Sequence, residues 1–249
     1  MGDLTLEINR SRFIFKTKEI WFSQYPYDIR GWHGVIFHGC KDKVDLPGFS
    51  CEEFTTLTID LTQDLDIIWK NFDKKSCQYG IKRAVREGIE IRLNQDFEQF
   101  FELNRSFRTN KGLPVGSEKI ETMKKYGTLF TALFEREIIG GQLYLADKDN
   151  IRWLLGASKR LEVKKEKEVI IGFGNRLMIW EAIKYAKDKG LREFDFGGFY
   201  TGKAEDSQKE GINVFKKSFG GKLVTHYTYR KDYSRILSLA RWIYQLQSR

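Results

Sequence analysis

Proline is almost absent from this chain: 3 among 249 residues, with no Pro/Gly/Ser-rich linker and no internal repeat. That composition argues against a disordered or tethered architecture. Cysteine is equally sparse, and Cys40, Cys51 and Cys77 form an odd, scattered set. They read as reduced thiols in a reducing compartment rather than as a disulfide framework. His33, His38 and Cys40 lie close in sequence, but no second cluster completes the four ligands of a structural zinc, so no metal is expected. No apolar run approaches the roughly 20 residues needed to span a bilayer. The opening Met1-Gly2-Asp3-Leu4 lacks the basic and apolar regions of a signal peptide, so a cytoplasmic protein is expected.

What the chain has in quantity is apolar surface and positive charge. Hydrophobic residues make up 41% and aromatics 14%, enough for a sizeable core. The formal net charge is +9 and the pI about 9.3. Such an excess favours phosphate-rich partners: a nucleotide, CoA, tRNA or an anionic lipid surface.

Period-two alternation in residues 4 to 22 (Leu4, Leu6, Ile8; Phe13, Phe15; Ile20, Phe22) predicts short strands, with Asn9-Arg10-Ser11 as a turn. Residues 23 to 53 read as a long surface loop. Leu57-Thr58-Ile59-Asp60-Leu61 is a strand. A helix follows with Leu65, Ile68, Trp69 and Phe72 on one face, then a second over 74–87 ended by Gly88. A strand at Ile89–Leu93, a helical period from Phe97 to Phe107 and a short helix over 117–126 come next. Strands over 128–135, 138–146 and 151–157 form an antiparallel meander. The charged stretch 159–168 reads as a loop or solvated turn. Asn175 then caps an amphipathic helix that Gly190 closes. The order of elements predicts an α/β domain with a mixed sheet flanked by helices and a small N-terminal β appendage, divided as 1–54 and 55–249.

The densest chemistry lies at the strand Phe194-Asp195-Phe196-Gly197-Gly198-Phe199-Tyr200 and the short helix Gly211-Ile212-Asn213-Val214-Phe215-Lys216. Gly197 and Gly198 let a ligand or another backbone approach without a Cβ in the way. Lys216 returns a point charge to that neighbourhood. Together they suit an anionic or carbonyl-bearing substrate; a tight turn followed by a surface lysine is the plain alternative. Asp195 is either a proton acceptor or a strand-end turn residue. Tyr200 brings a hydroxyl, and Trp153 and Tyr144, on predicted strands, either line an acceptor pocket or belong to the core. Gly172-Phe173-Gly174-Asn175 reads as a glycine-rich helix entry able to hold pyrophosphate on backbone N–H groups, or as a simple cap. Lys82, Arg83 and Arg86 form a basic cluster that can grip phosphate or be a solvated face.

Several segments carry a family resemblance: Leu57–Leu61 through Trp69 to Ile81-Lys82-Arg83-Ala84-Val85-Arg86-Glu87-Gly88, then Asn175–Ile183 through Gly190 to Asp195-Phe196-Gly197-Gly198, and Gly211 to Phe215-Lys216. In order and spacing they resemble the Fem family, peptidoglycan-bridge aminoacyltransferases with the fold of the Gcn5-related N-acetyltransferases (GNAT). The resemblance covers roughly residues 55 to 230. Family members commonly carry two copies of this fold, and several a coiled-coil arm; this chain has room for one copy plus a remnant.

The resemblance implies amide formation by an amine attacking an activated acyl group, with acyl-CoA or aminoacyl-tRNA as donor. Because the nucleophile arrives on the substrate, no catalytic Ser, Cys or His is required. Lys216 matches the family's Phe-Lys lysine, implicated in stabilising the tetrahedral oxyanion, with Phe215 beside it. Gly172, Gly174 and Asn175 sit where the superfamily holds CoA phosphates, although the usual Arg/Gln-x-x-Gly-x-Gly/Ala pattern is not intact. The acceptor implied is a nucleotide- or lipid-linked amine on a cell-envelope saccharide or peptide precursor. True aminoacyl-tRNA-dependent bridge synthesis is the alternative within the enzyme class. A non-catalytic nucleic-acid-binding module using the basic surface is the alternative of another class. Residues 233–249 carry Ile236, Leu239, Ala240, Ile243 and Leu246 at helical spacing, with Arg235, Arg241 and Arg249. They read either as a helix packed on its own domain or as a peripheral membrane contact.

Overall fold

The computed structural model describes residues 5–12, 14–114, 118–202 and 207–247. Leu4, Phe13, Ser117 and Arg249 lie outside the described residues, and of Tyr244 and Leu246 only the backbone is described. In chain order the elements are β1 (Leu6–Arg12), β2 (Phe15–Trp21), β3 (Gly34–Cys40), β4 (Ser50–Asp60) and α1 (Leu65–Lys70). A π-helical turn (Lys74–Gln78) leads into α2 (Tyr79–Arg86), then β5 (Glu90–Leu93), α3 (Phe97–Asn110), α4 (Ile120–Tyr126), β6 (Gly127–Phe134), β7 (Glu137–Ala146) and β8 (Asn150–Ser158). A 3-10 turn (Lys159–Leu161) precedes α5 (Lys165–Asp188), β9 (Glu193–Gly198), α6 (Ser207–Lys217), β10 (Lys222–Asp232) and α7 (Arg235–Gln247).

Two compact units result, one of residues Leu57–Lys222 and one of Met1–Thr56 with Leu223–Arg249. In the larger, the strand order is β4-β9-β8-β7-β6-β5, β4 contributing its last residues. β5 to β8 are antiparallel neighbours, whereas β8 and β9 run parallel, so the sheet is mixed. Alternation along the strands divides the core into two layers. Phe130, Ala132, Tyr144, Ile151, Phe194 and Phe196 pack with Leu177, Met178, Ala182 and Ile183 of α5. Leu129, Leu143 and Leu155 pack with Phe97, Phe100 and Leu103 of α3 and Met123 of α4. Each buried Leu, Ile, Phe or Met among these contributes about 1.5–3 kcal/mol against exposure, before conformational entropy is set against it.

Helix α5 starts earlier than the sequence suggests. Glu166 and Glu168 occupy its first turn, where acidic groups favour the positive end of the helix dipole. Gly172, Gly174 and Asn175 therefore lie inside the helix and not at its entry. Their N–H groups belong to the helix ladder and do not form a phosphate cradle. Gly174 is buried, and a Cβ there would stand 3.2 Å from Ile139 Cδ1; the glycine serves close packing of α5 on the sheet.

In the smaller unit β1 and β2 are antiparallel, β2 and β3 parallel, and β3 and β10 antiparallel. Ile20, Val35, Phe37, Cys40 and Tyr229 form its core. Asn9-Arg10-Ser11 is not a turn but the middle of β1, where Arg10 reaches across to Glu19 of β2 at 3.0 Å. The stretch 23–53 is not all loop, because β3 runs through it. Residues 223–249, expected with the acyltransferase domain, group with the N-terminal segment instead. The backbone N–H groups of Tyr233 and Ser234 donate to His33 O at 2.9 and 3.1 Å, and Leu237 is buried beside Gly34. Ile236, Leu239, Trp242 and Ile243 of α7 are exposed. Among the described residues no helix is long and apolar enough to cross a membrane.

Candidate active site

The parallel ladder between β8 and β9 ends at Arg152↔Asp195, although both strands continue. The site is built where they part. Arg152 and Asp195 are register partners, and their side chains meet: Arg152 Nη1 donates to Asp195 Oδ2 at 2.9 Å, with Asp195 almost wholly buried. The other carboxylate oxygen, Oδ1, accepts the Gly197 N–H at 2.6 Å. That bond holds Gly197 at φ +70°, in the left-handed region where a side chain is strained.

The turn presents its carbonyls to Lys216, on the last turn of α6. Lys216 Nζ donates to Gly198 O at 2.6 Å and lies 3.4 Å from Gly197 O. An ammonium has three N–H donors, so one remains for another acceptor. The side chain is only 6% exposed, whereas Lys217 is exposed. Burial pushes the Lys216 pKa down to about 8; the Asp195 carboxylate opposes this and the Arg152 guanidinium adds to it. The Lys216 ammonium stands 5.8 Å from the centre of the Trp153 ring, which also neighbours Phe215 at 6.4 Å. Trp153 is held by its own indole N–H, which donates to Leu155 O at 2.7 Å.

The loop after β9 is clamped by a residue to which the sequence assigns no role. Asn213 Nδ2 donates to Tyr200 O at 2.7 Å, and Asn213 Oδ1 accepts the Tyr200 N–H at 3.1 Å. Lys209 Nζ lies over the Tyr200 ring at 4.8 Å.

Lys216, Asp195, Gly197, Gly198, Trp153 and Phe215 are thus brought together, with Tyr200 tied to α6 one turn away. Tyr144 stands elsewhere: it is fully buried against Phe130 and Phe194, and its hydroxyl donates to Gln142 Oε1 at 2.7 Å. Burial raises its pKa well above the usual phenol value, as for a core tyrosine. Lys82 is exposed over Trp69, and Arg83 is paired with Glu87 on the same helix. Among the described residues no three His, Cys, Asp or Glu side chains gather in a way that could hold a metal. Arg152 and Asn213 are the residues sequence reasoning missed. The signal for Arg152 was the single charge of β8, which only the register of β8 on β9 pairs with Asp195.

The two glycines differ in what they tolerate. A Cβ on Gly197 would stand 3.0 Å from Trp153 O at a positive φ, whereas a Cβ on Gly198 meets nothing within 4 Å. Gly197→Ala is expected to lose about 1–2 kcal/mol in denaturant unfolding. Gly198→Val is expected to fold like the wild type and to fail in substrate binding, because its side chain fills the open space above Lys216's carbonyl partner. Normal binding by folded Gly198→Val would remove that space from the site.

No family model and no curated protein matches the chain by sequence. Solved structures share the fold. FemX is 13% identical with a TM-score of 0.62, over 95% of this chain and 85% of that one. L-PGS from Bacillus licheniformis is 14% identical with a TM-score of 0.56, over 98% of this chain and 86% of that one. A conserved protein of unknown function from Bacteroides thetaiotaomicron is 8% identical with a TM-score of 0.56, over 92% and 83%. The architecture is the GNAT-like one: a mixed sheet flanked by helices.

Proposed function

We propose that this protein is an N-acyl- or aminoacyltransferase that moves an activated acyl group onto an amine of a cell-envelope saccharide or peptide precursor, acting on the cytoplasmic side. One observation carries the reading. A buried lysine, directed by two glycine carbonyls, sits with an unused N–H at the point where two parallel strands part, in a fold shared with FemX and L-PGS.

The chemistry follows from that arrangement. The amine nitrogen of the acceptor bonds to the acyl carbon, and the carbonyl oxygen gathers negative charge. The third Lys216 N–H stabilises that charge where water is excluded; losing one such donor typically costs about 3 kcal/mol. Collapse of the intermediate breaks the thioester of an acyl-CoA or the ester of an aminoacyl-tRNA. The departing sulfur or ribose oxygen takes the electron pair, together with the proton given up by the amine. Asp195 has both oxygens engaged, so its part is to hold the Gly197 turn and to balance the Lys216 charge. The exposed Ile236, Leu239 and Trp242 of α7, with Arg235 exposed beside them, support a peripheral contact with an anionic membrane carrying a lipid-linked acceptor.

The test is a matrix of donors against acceptors. Acetyl-CoA and charged tRNA are paired with UDP-linked amino sugars in solution and with amine acceptors in anionic liposomes. Acyl transfer that is saturable in one donor is expected. Resistance to ribonuclease assigns CoA, and sensitivity assigns tRNA. Steeply salt-dependent nucleic-acid binding with no transfer from any donor would replace the reading with a binding module.

A further inference from the structure

Arg176, on α5, is a partly buried cation that the acyl-transfer chemistry leaves unused. Its guanidinium lies over the Phe215 ring at 5.0 Å, and Phe215 is both the neighbour of Trp153 and the residue before Lys216. Nη1 donates back one turn to Gly172 O at 2.9 Å, while Nε is buried with no partner. Among the described residues no carboxylate pairs with this group and Nη2 makes no hydrogen bond. Burial lowers its pKa; the nearby Cys77 and Asp73 oppose that shift and Arg160, of the same sign, adds to it.

The side chain is also held in place. A Cβ on Gly80 of α2 would stand 2.7 Å from Arg176 Cδ and 3.2 Å from Phe173 Cδ1. The missing side chain there leaves a slot in which the arginine is fixed between α2, Phe173 and Phe215. A desolvated guanidinium without a counter-ion is costly in a folded protein, and a fixed planar fork matches the oxygens of a phosphate.

We infer that Arg176 is the receptor for a phosphate group of the substrate, docked beside Phe215 at the edge of the acyl-transfer centre. This rests on the transferase reading for its context. Phosphate is favoured over carboxylate because both donors of that reading, acyl-CoA and aminoacyl-tRNA, carry it. The diphosphate of CoA, that of a nucleotide-linked sugar and the terminal phosphodiester of a tRNA share this chemistry.

The experiment is calorimetric titration of the whole chain with inorganic pyrophosphate, for wild type, Arg176→Met, Arg176→Lys and Arg86→Gln, with acetate as the carboxylate control. Saturable binding is expected in wild type, weakened about 10-fold or more by Arg176→Met, less by Arg176→Lys, and unchanged by Arg86→Gln on the exposed face of α2. Pyrophosphate is expected to raise the melting temperature of wild type but not of Arg176→Met. Without ligand, Arg176→Met is expected to melt no lower than wild type, because a partly desolvated charge without a carboxylate partner has been removed. A structural arginine would show the reverse: a lower ligand-free melting temperature with unchanged pyrophosphate affinity. That result overturns the inference, as do absence of saturable binding in wild type, loss of binding in Arg86→Gln, or acetate binding as tightly as pyrophosphate. Titrations with CoA, UDP and a CCA-ending oligonucleotide then identify the source as the one whose affinity falls in Arg176→Lys; if none falls, the inference fails. Because no turnover enters these measurements, pyrophosphate bound at Arg176 without acyl transfer would sink the transferase reading alone, and transfer without that binding would sink the phosphate site alone.

Discussion

Lys216→Met is expected to lower turnover by about 100-fold or more while leaving donor affinity nearly intact, the pattern of a group that acts on the transition state rather than on the bound ground state. Lys217→Ala, one residue on and exposed, is expected to turn over normally. Steady-state rates with whichever donor the matrix identifies, and donor titration in the absence of acceptor, check both. A folded Lys216→Met enzyme with wild-type turnover would end the assignment. The pH dependence supplies a second readout. With its pKa at about 8, Lys216 is an ammonium below that pH and a neutral amine above it. Stabilising an oxyanion needs the ammonium, so kcat/KM is expected to fall as pH rises through about 8, and a lysine acting as a base would give a limb of the opposite slope. Stability moves the other way. The folded pKa lies below the usual lysine value of 10.5, so between about 8 and 10.5 the unfolded chain holds the extra proton and the folded state gains stability as pH rises. At neutral pH the buried charge costs on the order of 3 kcal/mol. Lys216→Met is therefore expected to be more stable than wild type at pH 7, with the difference closing above pH 10, as read by denaturant unfolding.

Arg152→Met is expected to be the most destabilising single change in the site, at about 3–5 kcal/mol, since it removes one member of a buried ion pair. Its effect extends beyond the pair. Asp195 Oδ1 holds the Gly197 N–H, Gly197 and Gly198 carbonyls hold Lys216, and a displaced carboxylate releases that chain of contacts. Arg152→Met/Asp195→Asn is expected to recover much of the stability, because the buried carboxylate charge is gone and an asparagine oxygen still accepts from Gly197. Equilibrium unfolding of the two single variants and the double variant measures the coupling. Additive losses would show that the pair does not act as a unit.

Lys216, Asp195 and the two glycines were legible in the sequence because they lie in two short, chemically conspicuous segments joined by a polar loop. Arg152 was not, since its meaning depends on the register of β8 on β9, two strands separated by the whole of α5. Gly172-Phe173-Gly174 misled for a local reason. Two glycines so close together look like a loop, yet the helix begins at Lys165, whose preceding residue makes no side-chain capping bond, so no cap residue marked the true start. The strand β3 was hidden because Gly34 and Gly39 bracket its apolar run, and glycine reads as a breaker. Tyr144 shows the limit of alternation: period two placed it on a strand but could not say which of two covered faces it occupied, and it belongs to the α5 layer of the core.

The pairing of β3 with β10 has a consequence for the order in which the chain is made. β1 to β3 leave the ribosome before the larger unit does, and the strand that completes their sheet leaves it only after that whole unit. The larger unit, contiguous from Leu57 to Lys222, can close on itself before then. Until β10 arrives, β3 presents a bare edge to every other nascent chain nearby, and closing it requires one long loop to be formed at once. Completing this sheet thus waits for β10, and the time between the emergence of Cys40 and that of Asp232 is the interval in which β3 is exposed to mispairing.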